Sequence, residues 1–131
     1  MISLDTNVLL RLVLNDDPDQ VSVAKQLIAQ PCFIAPTVLV EVGWALRSVY
    51  RLDRKMVAAA LLVILEYPAV EIDNVEAVRW ALTRHAAAVS DLADLLHLAC
   101  SPRAAAFGTF DRKLAQQAGQ DMPLPVQTLL P

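Results

Sequence analysis

Four acidic residues in this chain of 131 residues stand in apolar surroundings, where a charged side chain is unusual. They are Asp5, Glu41, Asp94 and Asp111. Asp5 and Asp111 each follow a short apolar run typical of a buried strand, whereas Glu41 and Asp94 stand inside segments with helical periodicity. An unpaired carboxylate in a protein interior costs several kcal/mol. These positions therefore require either a structural or a chemical explanation.

The structural explanations are helix caps. An aspartate after a strand is commonly the N-cap of the next helix, which would account for Asp5 and Asp111. Asp91 and Asp94 have the spacing of a reciprocal capping box, although Glu or Gln is the usual residue at the second position. Glu41 has no such explanation, because it lies within a helical segment, and we expect it to be buried among branched apolar residues.

Short apolar segments alternate with helix-like segments along the chain. The segments predicted as strands are 1–4, 32–35, 69–72, 104–110 and 126–128. The segments predicted as helices are 8–14, 18–28, 36–50, 54–66, 75–88, one beginning at 90 or 91, and 111–118. This order predicts βαβ units and a mostly parallel central sheet covered on both faces, which is a three-layer α/β/α sandwich. We expect residues 1–131 to form a single domain.

The four acids become one hypothesis on such a fold. Ligands of an open parallel sheet bind beyond the carboxyl ends of its strands, where Asp5 and Asp111 are expected. Glu41 and Asp94, placed in the first turns of helices, would face the same crevice. Clustered carboxylates repel one another unless a cation neutralises them. Because the donors are all hard oxygens, the pattern favours Mg²⁺ or Mn²⁺ over zinc and suits chemistry on a phosphate.

Composition and motifs exclude several other classes of protein. With 56% hydrophobic and 19% charged residues the chain is expected to fold around a core, and its longest apolar run, 56–65, is too short to span a membrane. Cys32 and Cys100 have no partner at metal-ligand spacing and are expected in the core. The three glycines form no nucleotide-binding loop, and neither histidine belongs to a recognisable catalytic triad. Asp5 stands where a signal peptide would be basic, so we expect a cytoplasmic protein.

The segments that carry the four acids resemble the successive motifs of PIN-domain ribonucleases, in particular VapC-type toxins of type II toxin–antitoxin systems. These segments are LDTNVLLR at 4–11, PTVLVEV at 36–42, ADLLHLA at 93–99 and TFD at 109–111. The resemblance implies a PIN-like fold and an endoribonuclease dependent on Mg²⁺ or Mn²⁺, in which Asp5, Glu41, Asp94 and Asp111 hold the metal. It also implies an RNA substrate, a homodimer, and a VapB-type antitoxin whose tail occupies the active-site groove.

Polar residues beside the motifs are further candidates. Asn7 and Thr109 match motif positions that orient the acids or the attacking water, and turn formation explains them equally well. Asp91 is either an outer ligand or only a helix cap. Many relatives carry a further acid where this chain has Lys113, which leaves the number of metal ions, one or two, open.

Basic residues are candidates for contact with the RNA backbone. Arg11 and Arg112 lie beside acidic motifs and are the preferred candidates for phosphate contacts. Arg47, Arg51, Arg54 and Lys55 recur near helical spacing, for which we favour a solvated helix face over a path for RNA. For the apolar segment 56–65 we favour core packing over a dimer surface.

Two alternative functions remain open. One is a small Mg²⁺-dependent phosphohydrolase with Asp5 as nucleophile, which is weakened because Asn7 stands where a second aspartate is expected. The other is a non-catalytic module whose acidic pocket receives an arginine from a partner protein. The net charge of −3 does not exclude RNA, since ten acids against eleven bases remain once the four proposed ligands are set aside.

Overall fold

Short parallel strands alternate with helices along the chain. The computed structural model describes residues 1–88 and 90–131, which contain five strands and seven helices. The strands are β1 (Ile2–Ser3), β2 (Cys32–Phe33), β3 (Val70–Glu71), β4 (Phe107–Thr109) and β5 (Val126–Thr128). The helices are α1 (Thr6–Leu14), α2 (Pro18–Ile28), α3 (Pro36–Ser48), α4 (Arg54–Leu65), α5 (Val75–Ala87), α6 (Leu92–Ala99) and α7 (Leu114–Ala118).

All the strand pairings in the described residues are parallel. β1, β2 and β3 form one sheet in that order, with Ser3 opposite Phe33 and Phe33 opposite Glu71. β4 pairs with β5 in a second ladder. The α/β class and the parallel pairing predicted from the sequence are therefore confirmed. The bounds of β5 are confirmed, whereas β1 to β4 are shorter than predicted, and β4 begins at Phe107 rather than at residue 104.

The helices pack on one another around a core of leucine, isoleucine and valine side chains. α3 contacts α1, α4 and α6, while α5 lies against both α4 and α6. The largest fully buried side chains include those of Leu9, Ile34, Leu39, Leu46, Leu61 and Leu95. α3 thus links the elements that carry Asp5, Glu41 and Asp94.

The predicted packing of α4 and of Cys32 is confirmed, and that of Cys100 is wrong. Most apolar residues of α4 lie in the core, whereas Met56 and Val63 are exposed. Cys32 is buried in β2. Cys100 is exposed because it is the C-cap of α6, where the chain leaves the core after the buried Ala99.

Two helix starts predicted from the sequence are confirmed by their caps. Asp17 accepts a hydrogen bond from the Gln20 N–H at 3.1 Å, with Pro18 in the first turn of α2. Asp53 accepts one from the Met56 N–H at 2.8 Å at the start of α4.

None of the helices in the described residues is long and apolar enough to cross a membrane, as the sequence predicts.

Candidate active site

Asp5 lies at the carboxyl end of β1, at the position predicted for a ligand. The Leu4 N–H donates to the Phe33 carbonyl oxygen at 2.8 Å, which extends the β1–β2 ladder to the residue before Asp5. Asp5 is the N-cap of α1, yet its exposed side chain makes no capping hydrogen bond. The structural explanation for this aspartate is therefore not realised, and its carboxylate is available for a ligand.

Glu41 is exposed, so the expectation that it is buried is wrong. Its neighbours Leu39 and Val42 are fully buried, but successive residues of a helix point about 100° apart, so apolar neighbours in sequence need not share its face. Glu41 also lies in the second turn of α3 rather than the first, because the helix begins at Pro36. Exposure removes the cost of burying the charge and leaves the carboxylate accessible.

Asp94 lies in the first turn of α6, as predicted, and is partly exposed. The N-cap of this helix is Asp91, whose side chain makes no capping hydrogen bond. The reciprocal capping box proposed for these two aspartates is therefore absent. Both carboxylates lie at the start of α6 without a capping function.

Asp111 differs from the other three because a turn uses part of its side chain. Its Oδ1 accepts a hydrogen bond from the Lys113 N–H at 2.9 Å, and its own N–H donates to the Thr109 Oγ1 at 3.0 Å. The turn predicted as the alternative for Thr109 is thus present. This turn delays α7, which begins at Leu114 rather than at residue 111.

The charges around Asp94 show which acids lie near one another. Burial raises the pKa of Asp94, the charge of Asp91 raises it further, His97 lowers it, and Asp111 raises it. Asp94 and Asp111 of the predicted quartet are therefore within electrostatic range, with Asp91 beside them. Neither Asp5 nor Glu41 is among the groups that perturb Asp94, although α3 packs against both α1 and α6.

The chemistry of the donors fits a divalent metal ion, but among the described residues their side chains do not converge. Within residues 1–88 and 90–131, no three Asp, Glu, His or Cys side chains are arranged as a set that could hold a metal ion. Carboxylates repel one another, so their side chains converge only around a cation. The acids are hard oxygen donors, and in the described chain Asp5, Glu41 and Asp94 form no ion pair with Lys, Arg or His. These residues fit a Mg²⁺ or Mn²⁺ site in type and exposure.

The basic candidates differ in their surroundings. Arg11 forms an ion pair with Asp16 at 3.3 Å, which partly neutralises the charge expected to meet a phosphate. Arg11 and Asn7 line a groove of about 430 Å³ beside α2. Arg112 is exposed.

A cavity of about 370 Å³ adjoins the acidic residues and was missed by the sequence reasoning. We call it the Trp44 cavity, and its polar and aromatic lining residues are Trp44, Arg47, Ser48, Arg54, His85, Ser90 and Asp91. Val40 and Ala93, which precede Glu41 and Asp94, also line it. Its lining residues come from α3, α4, α5 and the start of α6, so no local sequence motif predicts it. The one sequence signal for it was the pair Trp44 and Arg47, which lie three residues apart on α3.

Comparison with known families matches residues 2–120 to the family described as PIN domain. Because this match spans most of the chain, the protein belongs to the PIN-domain family. PIN domains are generally nucleases and typically use divalent metal ions, so the fold is that of a metal-dependent nuclease. A comparison with curated proteins gave no match.

Proposed function

We propose that this protein is an endoribonuclease that depends on Mg²⁺ or Mn²⁺ and acts as the toxin of a VapC-type toxin–antitoxin pair. The observation that carries the proposal is Asp5, an N-cap aspartate whose carboxylate is exposed and caps nothing. A cap that forgoes its hydrogen bond gives up about 1 kcal/mol of stability. Membership of a nuclease family gives a reason for the unused cap, because the free carboxylate can bind a metal ion.

In this proposal the four motif acids bind the cation, and neighbouring groups support them. Asp5, Glu41, Asp94 and Asp111 hold the cation, either one ion or two. A divalent cation bound there would lower the pKa of a water molecule and stabilise negative charge on the phosphate. The Lys113 N–H and the turn at Thr109 fix the orientation of the Asp111 carboxylate and leave its second oxygen to a ligand. Asp91 keeps the start of α6 negative and so favours a cation beside Asp94.

The proposed partners follow from the resemblance and from the surface. RNA is the substrate, and a VapB-type antitoxin inhibits the enzyme by placing its tail in the active-site groove. The protein is proposed to act in the cytoplasm as a homodimer, for which the exposed Met56 and Val63 of α4 offer apolar contact area. An arginine in the antitoxin tail would pair with Asp5, Glu41 and Asp94, whose carboxylates form no ion pair among the described residues.

The test is Asp5→Asn, which keeps the size and polarity of the side chain but removes its charge. Loss of an outer-shell partner alone costs a metal site 10–100-fold, so we expect RNA cleavage to fall by at least about 100-fold. The matched control is Asp17→Asn, an N-cap aspartate on α2, which should cleave like the wild type. Cleavage of total RNA with Mn²⁺ is followed by sequencing the new 5′ ends, with a chelator as the blank.

Two results would contradict the proposal. Full cleavage by purified Asp5→Asn would exclude Asp5 from the site. Failure of the wild type to bind Mn²⁺ in calorimetry, together with absence of cleavage, would instead favour the non-catalytic module with an acidic pocket.

A further inference from the structure

The Trp44 cavity has an acidic end and a basic end. At the acidic end Asp91 lines the wall and is close enough to Asp94 to raise the pKa of its carboxyl group. At the basic end lie Arg47 and Arg54, both close enough to His85 to lower the pKa of its imidazole. The cavity therefore holds two cations and one carboxylate, Asp91, which lies within electrostatic range of the proposed ligand Asp94.

The basic end continues beyond this cavity. A second cavity of about 550 Å³ is lined by Arg47, Arg54 and Lys55, with one carboxylate, Asp53, in its wall. None of these three cations lies within 4.0 Å of a carboxylate in the part of the chain that the structure describes. The Arg54 Nη1 donates to the Ala88 carbonyl oxygen at 2.7 Å, which holds the guanidinium at the wall. The two cavities thus share Arg47 and Arg54, and three cations against one carboxylate line the second.

The remaining walls offer an aromatic face and a polar group without a partner. Trp44 is 63% exposed, so its indole presents a large apolar surface to solvent rather than to the core. His85 is only 3% exposed, and its Nδ1 lies 3.0 Å from the Ser90 carbonyl oxygen. A carbonyl oxygen can only accept, so Nδ1 carries the proton and Nε2 is left as an acceptor. Among the described residues Nε2 has no hydrogen-bond partner.

We propose that the Trp44 cavity is a nucleotide subsite for single-stranded RNA beside the acidic residues. The base of the bound nucleotide stacks on Trp44, and the neighbouring phosphates of the strand contact Arg47, Arg54 and Lys55. The acceptor of His85 is covered by neighbouring side chains, so a donor of that nucleotide, either a ribose 2′-hydroxyl or a base amino group, reaches it by displacing them. This inference rests on the proposed ribonuclease function, because it assigns the position of the RNA next to the bond that is cut.

The subsite explains features that a solvated helix face leaves unexplained. A solvated face needs neither an exposed indole nor a buried histidine on the wall of the same cavity. Stacking and backbone charge together are the usual means by which proteins hold single strands without reading every base. The distribution of charge places the phosphate to be cut at the carboxylates and the neighbouring phosphates at the arginines.

The experiment measures RNA binding separately from cleavage. A fluorescent oligoadenylate is titrated in chelator, so that no strand is cut, against the wild type, Trp44→Ala and Arg47→Gln. Both side chains are exposed, so the variants should fold, which circular dichroism verifies. Loss of one stacked base should weaken binding by about 5- to 150-fold, and Trp44→Phe should recover part of it. Arg51→Gln, an exposed arginine outside both cavities, is the matched control and should bind like the wild type.

A deoxy probe of the same base distinguishes the two donors. Weaker binding of the deoxy strand by the wild type, with the difference abolished in His85→Asn, identifies the 2′-hydroxyl. Equal binding of both strands, with a loss on changing adenine to unsubstituted purine, identifies the base amino group.

The outcomes separate this inference from the proposed function. If Trp44→Ala and Arg47→Gln bind RNA like the wild type while Asp5→Asn abolishes cleavage, the subsite is wrong and the nuclease assignment stands. If the cavity variants lose RNA binding but Asp5→Asn cleaves fully, the subsite stands and the quartet fails. Normal RNA binding by both variants, with loss of binding to a polyglutamate peptide, would assign the cavity to a protein partner instead.

Discussion

Four helices in the described residues begin after an aspartate, and these aspartates divide into two pairs. Asp17 and Asp53 cap α2 and α4 with hydrogen bonds of 3.1 and 2.8 Å to backbone N–H groups. Asp5 and Asp91 occupy the same position before α1 and α6 and make no capping hydrogen bond. Asp5 is one of the four motif acids and Asp91 lies within electrostatic range of another, Asp94, whereas neither capping residue is among the groups that act on Asp94.

Backbone conformation does not explain this difference. Asp5 has φ −80 and ψ 160, and Asp53 has φ −75 and ψ 168, so their backbones are nearly the same. The side chain of Asp5 could therefore reach the cap and does not. An aspartate at a helix start therefore stabilises the helix at α2 and α4, whereas at α1 and α6 its carboxylate is left free of the cap.

The largest effect that tests the comparison is expected at Asp111, which caps no helix but is a motif acid whose carboxylate accepts a backbone hydrogen bond. Asp111→Asn keeps an oxygen that accepts from the Lys113 N–H but loses the charge, so it should fold normally and lose RNA cleavage by at least about tenfold. Asp111→Ala loses both the charge and the hydrogen-bond acceptor, so its free energy of unfolding should be ~0.5–1.5 kcal/mol lower than that of Asp111→Asn. Cleavage assays and urea unfolding separate the two losses. Full activity in Asp111→Asn would reduce this residue to a turn former.

A smaller effect distinguishes the two pairs of caps directly. Asp17→Ala removes a cap that is formed, so the free energy of unfolding should fall by about 1 kcal/mol while RNA cleavage is unchanged. Asp91→Ala removes a side chain that caps nothing and repels Asp94, so stability should stay within about 0.5 kcal/mol of the wild type. Urea denaturation of both variants in chelator measures the difference. Equal losses would mean that Asp91 caps α6 in solution.

Much of the fold could be predicted because its signals are local. Asp17 followed by Pro18 and Asp53 before an apolar run mark helix starts through hydrogen bonds within one turn. The strands were placed correctly, and β5 has its predicted bounds, but the other four were predicted too long. In β4, apolar side chains at residues 104–106 and 110 do not themselves form a ladder. Where a strand ends depends on the partner strand, which the sequence does not name.

The candidate site was predictable only in part. Residue types and order predicted the place of Asp5 at the end of β1 and of Asp94 in the first turn of α6. The prediction that Glu41 is buried was wrong, because helical rotation turns it to the surface. The Trp44 cavity combines residues from four helices, so its existence depends on how α3, α5 and α6 pack. Packing of that kind is a tertiary property, and the sequence offers only the separate side chains.

His85 is a buried side chain that, like the aspartates, is only partly used in hydrogen bonding. Its Nδ1 has a partner, the Ser90 carbonyl oxygen, and among the described residues its Nε2 has none. Burial lowers the pKa of His85, and the charges of Arg47 and Arg54 lower it further, whereas the Ser90 carbonyl and Asp91 raise it. The folded protein therefore keeps this histidine neutral at a pH where the unfolded chain binds a proton. Because the unfolded state then binds more protons, stability rises with pH. Stability from this source is complete above the ordinary pKa of 6.5 and is lost as the pH falls below it.

The smallest predicted effect is the removal of this pH dependence by His85→Asn. Asparagine places an amide N–H near the position of Nδ1 and so keeps a donor for the Ser90 carbonyl oxygen, but it does not titrate. Between pH 7.5 and 5.5 the wild type should lose stability more steeply than the variant, so their free energies of unfolding in urea should converge as the pH falls. Parallel profiles would show that His85 takes up a proton in the folded state as readily as in the unfolded chain, and that the charges of Arg47 and Arg54 are too far away to oppose it.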